Sequence, residues 1–383
     1  MRTDCRTNVR TQGKECRALP ARQNVRNDRN LITMKLIHGG DWAGFETEYG
    51  KTPLDFSANI SPLGLPERVR AAALRAVEMA DRYPDPLNRR LCAALADYHS
   101  VPASNIVCGS GASDLIYRLC HTLRPKSAAV FVPGFAEYAR ALRETGCHVT
   151  EIPLSADFCL TQEQLTQIPQ DCELLFLCNP NNPTGLLSGR ELLLQLLDLC
   201  RERGTVVAMD ECFLDFCEDA ADCSLVSALA EYPELVVIKA FTKTCAMAGL
   251  RLGYVFCGST ELAEKLRDCG QPWAVSVIAE EAGIEALCEE DYVNQLRTLI
   301  SAERRKMKTA LEAVGMRVVP GEANFLLFRC ADLALAEKLR ARGVLIRDCA
   351  NFAGLEKGWY RTAIRTEAEN IVLLETIREV LHG

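Results

Sequence analysis

Four residues that follow one another in order could do chemistry together. They are Asn182 in Asn179-Pro180-Asn181-Asn182-Pro183-Thr184-Gly185, Asp210 in Asp210-Glu211, Lys243, and Arg251 in Gly249-Leu250-Arg251-Leu252-Gly253-Tyr254. Their separations are 28 (182 to 210), 33 (210 to 243) and 8 (243 to 251). Lys243 comes soon after the apolar run Leu235-Val236-Val237-Ile238, a setting that suits an amine built to lose its proton and condense with an aldehyde. Pyridoxal phosphate is the cofactor that uses such a lysine. A carboxylate such as Asp210 beside the pyridine nitrogen keeps that nitrogen protonated, which deepens the electron sink for a carbanion at a substrate α-carbon. Asn182 can donate its amide to the ring's phenolic oxygen. Taken singly, these residues read as a turn, a helix cap and a surface lysine. Their companionship is what favours the cofactor.

A phosphate-bearing cofactor needs an anion cradle. Gly109-Ser110-Gly111-Ala112-Ser113-Asp114 supplies one, after a short apolar run and before the periodic segment Leu115-Ile116-Tyr117-Arg118-Leu119, where backbone N–H groups of a helix start face an anion. Asp114 stands where a dinucleotide fingerprint has its last glycine, and no G-x-x-x-x-G-K-[ST] occurs, so dinucleotide and nucleoside-triphosphate readings lose ground. Thr242 and Arg251 bracket Lys243 and offer a hydroxyl and a guanidinium to the same phosphate.

The elements that must position these groups follow from the apolar pattern. Runs at 128–132, 174–178, 205–209 and 235–241 are rich in Val, Ile, Leu and Phe, as in strands buried on both faces. Between them lie helical segments such as 187–203, with Gly204 as its C-cap. This alternation predicts an α/β fold with a mainly parallel central sheet, in which ligands gather at the carboxyl ends of strands. Asn182, Asp210 and Lys243 each stand at or just beyond such an end. After Gln271-Pro272-Trp273 the pattern changes to a long charged helical stretch, 277–314, and then to a smaller α/β segment. The expected organisation is a basic, unstructured extension (1–33), an N-terminal segment joining the small domain (34–66), a large cofactor-binding domain (67–275) and a small C-terminal domain (276–383).

Composition narrows the function. The chain has 383 residues, 48% hydrophobic and 25% charged, and its net charge of -7 argues against a nucleic-acid partner. Residues 1–33 carry seven Arg and one Lys against two Asp and one Glu, hence +5, and Met34 opens the globular part. No window approaches the ~18 consecutive apolar residues of a membrane helix, and no secretory h-region is present, so a cytoplasmic location without a membrane partner is expected. The 19 cysteines are scattered without a C-x-x-C pair, so no metal site is expected and most read as small buried hydrophobes; Cys245, close to Lys243, is a possible site neighbour.

With these motifs assembled, the chain resembles fold type I pyridoxal-phosphate enzymes of the class I/II aminotransferase group, over residues 38–383. Within that group it is most similar to the L-threonine-O-3-phosphate decarboxylases, with the histidinol-phosphate aminotransferases as near relatives. The segments His38-Gly39-Gly40, Leu54-Asp55-Phe56-Ser57-Ala58-Asn59 and Pro62-Leu63-Gly64 carry the former likeness, and Phe213, where many aminotransferases place a tyrosine, agrees with it. The resemblance implies decarboxylation of a phosphorylated amino acid for the cobalamin nucleotide loop, with phosphoserine decarboxylation and histidinol-phosphate transamination as alternatives. It makes Lys243 the catalytic Schiff-base lysine, Asp210 the ring-nitrogen partner, Asn182 the phenolic-oxygen donor and Phe135 the stacking ring. Gly111, Ala112, Ser113, Thr242 and Arg251 would hold the cofactor phosphate, joined by Tyr83 from a neighbouring subunit, which implies a homodimer. His38, Gly39, Asn59, Asn182, Arg347 and Arg361 would bind substrate.

Overall fold

A short strand, β1 (Leu54–Asp55), precedes the seven strands of a large sheet. These are β2 (Ile106–Gly109), β3 (Ser127–Val132), β4 (His148–Pro153), β5 (Leu174–Cys178), β6 (Val206–Asp210), β7 (Leu235–Ala240) and β8 (Gly253–Cys257). The computed structural model describes residues 38–382; the extension 1–33 and Met34 lie outside the described residues. The sheet order is β2-β8-β7-β6-β5-β3-β4. Only β8 runs antiparallel to its neighbours; the others pair in parallel.

The lack of polar alternation in these strands has a direct cause. Leu174, Phe176 and Cys178 of β5 enter one hydrophobic core and Leu175 and Leu177 enter another, so both pleat faces are covered. Helices supply the cover, among them Arg190–Arg203, which ends at Gly204 with φ 70 in the left-handed conformation that glycine adopts without penalty. The result is a mixed, mainly parallel α/β sheet whose strand ends point several chemical groups at one edge.

The remaining strands are β9 (Arg317–Val318), β10 (Phe325–Arg329), β11 (Val344–Leu345), β12 (Arg347–Asp348) and β13 (Trp359–Ala363). They form an antiparallel sheet, β12-β13-β10-β9, while β11 pairs in parallel with β1. That pairing continues through Phe56, whose N–H donates to Leu345 O at 2.8 Å and whose carbonyl accepts from Ala363 N at 2.8 Å. Residues 54–56 are thereby stitched to the C-terminal strands.

The stretch 277–314 is two helices rather than one. Val277–Ala286 packs on the helices Glu67–Ala76 and Arg89–His99, whereas Glu290–Ala313, 24 residues and roughly 36 Å long, packs on Glu367–His382, β9 and β10. Two different packing surfaces require the change of direction at Leu287-Cys288-Glu289, where no glycine or proline announces it.

Candidate functional site

Strand β6 ends on Asp210, in register with Cys178 of β5 and Ile238 of β7. Its buried carboxylate accepts the Tyr138 hydroxyl on Oδ2 at 2.6 Å and the Cys212 N–H on Oδ1 at 2.9 Å. Each oxygen keeps acceptor capacity for a further donor. The Tyr138 ring stacks on Phe176 at 4.9 Å, and burial, with the charge of Asp210, pushes its phenol far up, so it stays a donor. Tyr138 was not singled out from the sequence; its one signal is its place, three residues after Phe135.

Lys243 lies on the single turn Phe241–Thr244 that follows β7 directly. Its carbonyl accepts the Ser61 N–H at 3.0 Å, which clips the N-terminal segment to this turn. Burial, then the charges of Arg361 and Arg251, lower its pKa to about 8, against the opposing pull of Asp210. A useful fraction of the amine is therefore unprotonated near neutral pH, the state a nucleophilic lysine requires.

The loop after β2 closes on Gly111, with φ +87, at the cap of the helix Ala112–Leu123. A Cβ there would stand 2.6 Å from Arg251 Nη2, so glycine is what lets the guanidinium approach. Arg251 donates to Ser110 O at 3.2 Å and Ala248 O at 3.1 Å, while Asp114 fixes the loop by accepting the Ser110 N–H at 2.9 Å. Ala112 and Ser113 bring the N–H groups of the helix start, Thr242 is buried nearby in sequence to Lys243, and the enclosed Thr244 hydroxyl has no partner among the described residues. Phe135 caps the helix Ala136–Glu144, its ring edge-on to Tyr138 at 5.5 Å. A cradle that only glycine permits, a guanidinium beside it, a lysine near its titration point and a half-satisfied carboxylate fit pyridoxal phosphate.

The antiparallel sheet contributes two buried arginines, Arg347 on β12 and Arg361 on β13, directly opposite each other. Arg361 donates Nη1 to Asn182 Oδ1 and Nη2 to Ser57 O at 3.2 Å, and lies 5.2 Å from the Phe325 ring centroid. Its Nε has no partner among the described residues. Burial, with the neighbouring charge of Arg347, lowers its pKa to about 10, which leaves it a cation at neutral pH. Because the Asn182 oxygen is taken by Arg361, its NH2 remains the group available to a ligand. Arg347 donates to Asn351 Oδ1 at 2.8 Å.

Asn59 is buried with Oδ1 unpartnered among the described residues. Gly39 lies so close to Ser57 that a Cβ would stand 2.3 Å from its carbonyl oxygen, and Gly40 donates its N–H to Ser57 Oγ at 2.8 Å. His38 Nε2 is 2.8 Å from Glu137 Oε1. Ser57 thus joins the start of the described chain to Arg361, a link that no motif announced. Tyr83 instead stands on the surface, 78% exposed, its ring stacked on Trp273 at 4.5 Å. Phe213 packs edge-on to Phe325 at 5.1 Å, and Arg365 is occupied by Glu369 and Asp55 O. Buried Cys245 has its thiol pushed up to about 12, chiefly by burial. Among the described residues no group of three or more His, Cys, Asp or Glu side chains could hold a metal ion, and no helix is long and apolar enough to cross a membrane.

The sequence profile of the aminotransferase class I and II family matches residues 51–377. The threonine-phosphate decarboxylase of Salmonella typhimurium is 39% identical over 354 residues, 90% of this chain and 97% of that protein. An adenosylcobalamin biosynthesis bifunctional protein of Leptospira interrogans is 29% identical over 363 residues, 90% of this chain and 41% of the longer protein. Among solved structures, the histidinol-phosphate aminotransferase from Clostridium acetobutylicum superposes with a TM-score of 0.81 at 32% identity, covering 85% of this chain and 98% of that one.

Proposed function

Because the chain belongs to the aminotransferase class I and II family, we propose that it uses pyridoxal phosphate to decarboxylate L-threonine O-3-phosphate, giving (R)-1-amino-2-propanol O-2-phosphate and carbon dioxide for cobalamin assembly. The observation that carries this reading is Arg361, a buried cation whose hydrogen bonds go to neutral oxygens, opposite a second arginine. A buried guanidinium with one N–H unpartnered among the described residues favours an anionic ligand group, and this substrate has a phosphate and a carboxylate. The Salmonella relative supports the same choice.

When bound, pyridoxal phosphate supplies the electron sink that makes an α-carbon bond breakable. Asp210, fixed by Tyr138 and the Cys212 N–H, would accept a hydrogen bond from the ring nitrogen and so keep that nitrogen protonated. Asn182 would donate to the phenolic oxygen, Phe135 would cover the ring, and Gly111, Ala112, Ser113, Thr242 and Arg251 would hold the phosphate. His38, Gly39, Asn59, Arg347 and Arg361 would hold the substrate and orient its carboxylate for release. That orientation selects loss of carbon dioxide; an α-hydrogen in the same place would be removed instead, as in transamination. Lys243 then returns a proton to the α-carbon.

The chain works in the cytoplasm as a homodimer on this reading. An exposed aromatic pair, Tyr83 on Trp273, supports the second point, because Tyr83 serves the cofactor phosphate only from a neighbouring subunit.

The test is incubation of the holoenzyme with phosphothreonine, phosphoserine, or histidinol phosphate plus 2-oxoglutarate, with product masses read out. Carbon dioxide and aminopropanol phosphate without 2-oxoglutarate are expected. Glutamate from the third mixture alone would instead assign the aminotransferase activity, the reading that the Clostridium neighbour favours.

A further inference from the structure

Glu137 is a buried carboxylate that the reaction itself does not use. It lies in the first turn of the helix Ala136–Glu144, two residues after Phe135, with its side chain 8% exposed. Its oxygens have separate donors: the Tyr117 hydroxyl reaches Oε2 at 2.7 Å, and His38 Nε2 stands 2.8 Å from Oε1. Arg140 Nη1 is a further 3.6 Å neighbour of Oε1. Tyr117 comes from the helix Ala112–Leu123, whose start is the phosphate cradle. One carboxylate therefore joins the cradle helix, the helix capped by Phe135 and the first described residue of the chain.

The chemistry of this contact is directional. A carboxylate only accepts, so Nε2 carries a hydrogen; Nδ1 is the ring nitrogen left for a ligand, and it meets an anion only as the second N–H of the imidazolium. The His38 side chain is 49% exposed, and its ring lies 5.9 Å from that of Phe135. An imidazole so exposed would turn freely without an anchor, whereas Glu137 is itself held by Tyr117 and by burial.

We propose that Glu137 is a positioning residue for substrate binding: it holds the His38 imidazolium by its Nε2–H and leaves the Nδ1–H to donate to the anionic end of the substrate, with Tyr117 fixing the carboxylate. This rests on the reading of His38 as a substrate contact. A buried ionised group is retained at a desolvation cost that an apolar side chain of the same size would avoid, and the His38 contact gives that cost a function.

Steady-state kinetics of the holoenzyme with L-threonine O-3-phosphate test it. Glu137→Met raises KM about tenfold, the worth of one charge-assisted hydrogen bond, with kcat and the visible spectrum of the bound cofactor preserved. Glu137→Gln keeps an acceptor for Nε2 and restores most of the loss. In a His38→Asn background, Glu137→Met adds nothing further. If His38→Asn raises KM but Glu137→Met does not, or if the two losses add, the positioning role is overturned and the His38 contact stands. If His38→Asn leaves KM unchanged, the substrate reading of His38 falls first. A fall in kcat together with loss of the cofactor spectrum in Glu137→Met would make Glu137 a structural residue only.

Discussion

Lys239 on β7 and Lys243 on the turn that follows it stand four positions apart, yet their charges are managed in opposite ways. Burial alone would push Lys239 down, but Asp215 at 3.2 Å and Glu211 at 3.6 Å outweigh it and hold the amine above its usual range. Glu211 is completed by the Leu225 N–H at 2.7 Å and the Ser224 hydroxyl at 2.8 Å. Lys243, part-buried, has Arg361 and Arg251 as neighbours and falls to about 8. Depth alone would lower the more buried Lys239 further; the sign of the neighbouring charge reverses the order. The first cluster pairs its cation with carboxylates and serves the fold, while the second holds cations that a phosphorylated cofactor and an anionic substrate would balance.

Three substitutions break or sharpen this contrast. Lys243→Ala should lower turnover by about 10³-fold or more and abolish the visible absorbance of the lysine-bound cofactor; an unchanged spectrum would remove Lys243 from its role. Lys239→Met leaves Glu211 buried without its cation and should cost about 3–5 kcal/mol of unfolding free energy, read by urea titration, while the cofactor spectrum survives. Loss of that spectrum at unchanged stability would mean that the two regions are not separate. Arg361→Met should raise KM for phosphothreonine about 10²-fold and shift a pH profile. The attacking amine must be unprotonated, so cofactor capture by apo-protein rises with pH through about 8 and levels off above it. Removing the cation makes the protonated amine less unfavourable, so the midpoint moves upward in the variant; a midpoint that stays put would remove Arg361 from the lysine's surroundings.

Much of this site could be read in one dimension because strand ends are local events. The apolar runs before Asp210 and Lys243 are strands whose final residues set both groups at one sheet edge, and the Gly111 and Gly204 backbone conformations follow from local chemistry. What could not be read are contacts made by the fold across long separations. Tyr138 reaches Asp210 across 72 residues and His38 reaches Glu137 across 99, and no periodicity encodes such pairs. The break at Leu287-Cys288-Glu289 was hidden for a related reason: two tertiary surfaces impose it, and propensity alone would continue the helix.

The placement of Arg347 opposite Arg361 has a thermal consequence. Like charges facing each other across two antiparallel strands work against the sheet that carries them. An anionic ligand held by Arg361 binds only the folded form, and so raises the melting temperature according to its affinity and concentration. Heat denaturation thereby becomes a substrate finder: a doubly anionic amino acid such as phosphothreonine should protect the holoenzyme more than orthophosphate or threonine supplied separately, before any turnover is measured.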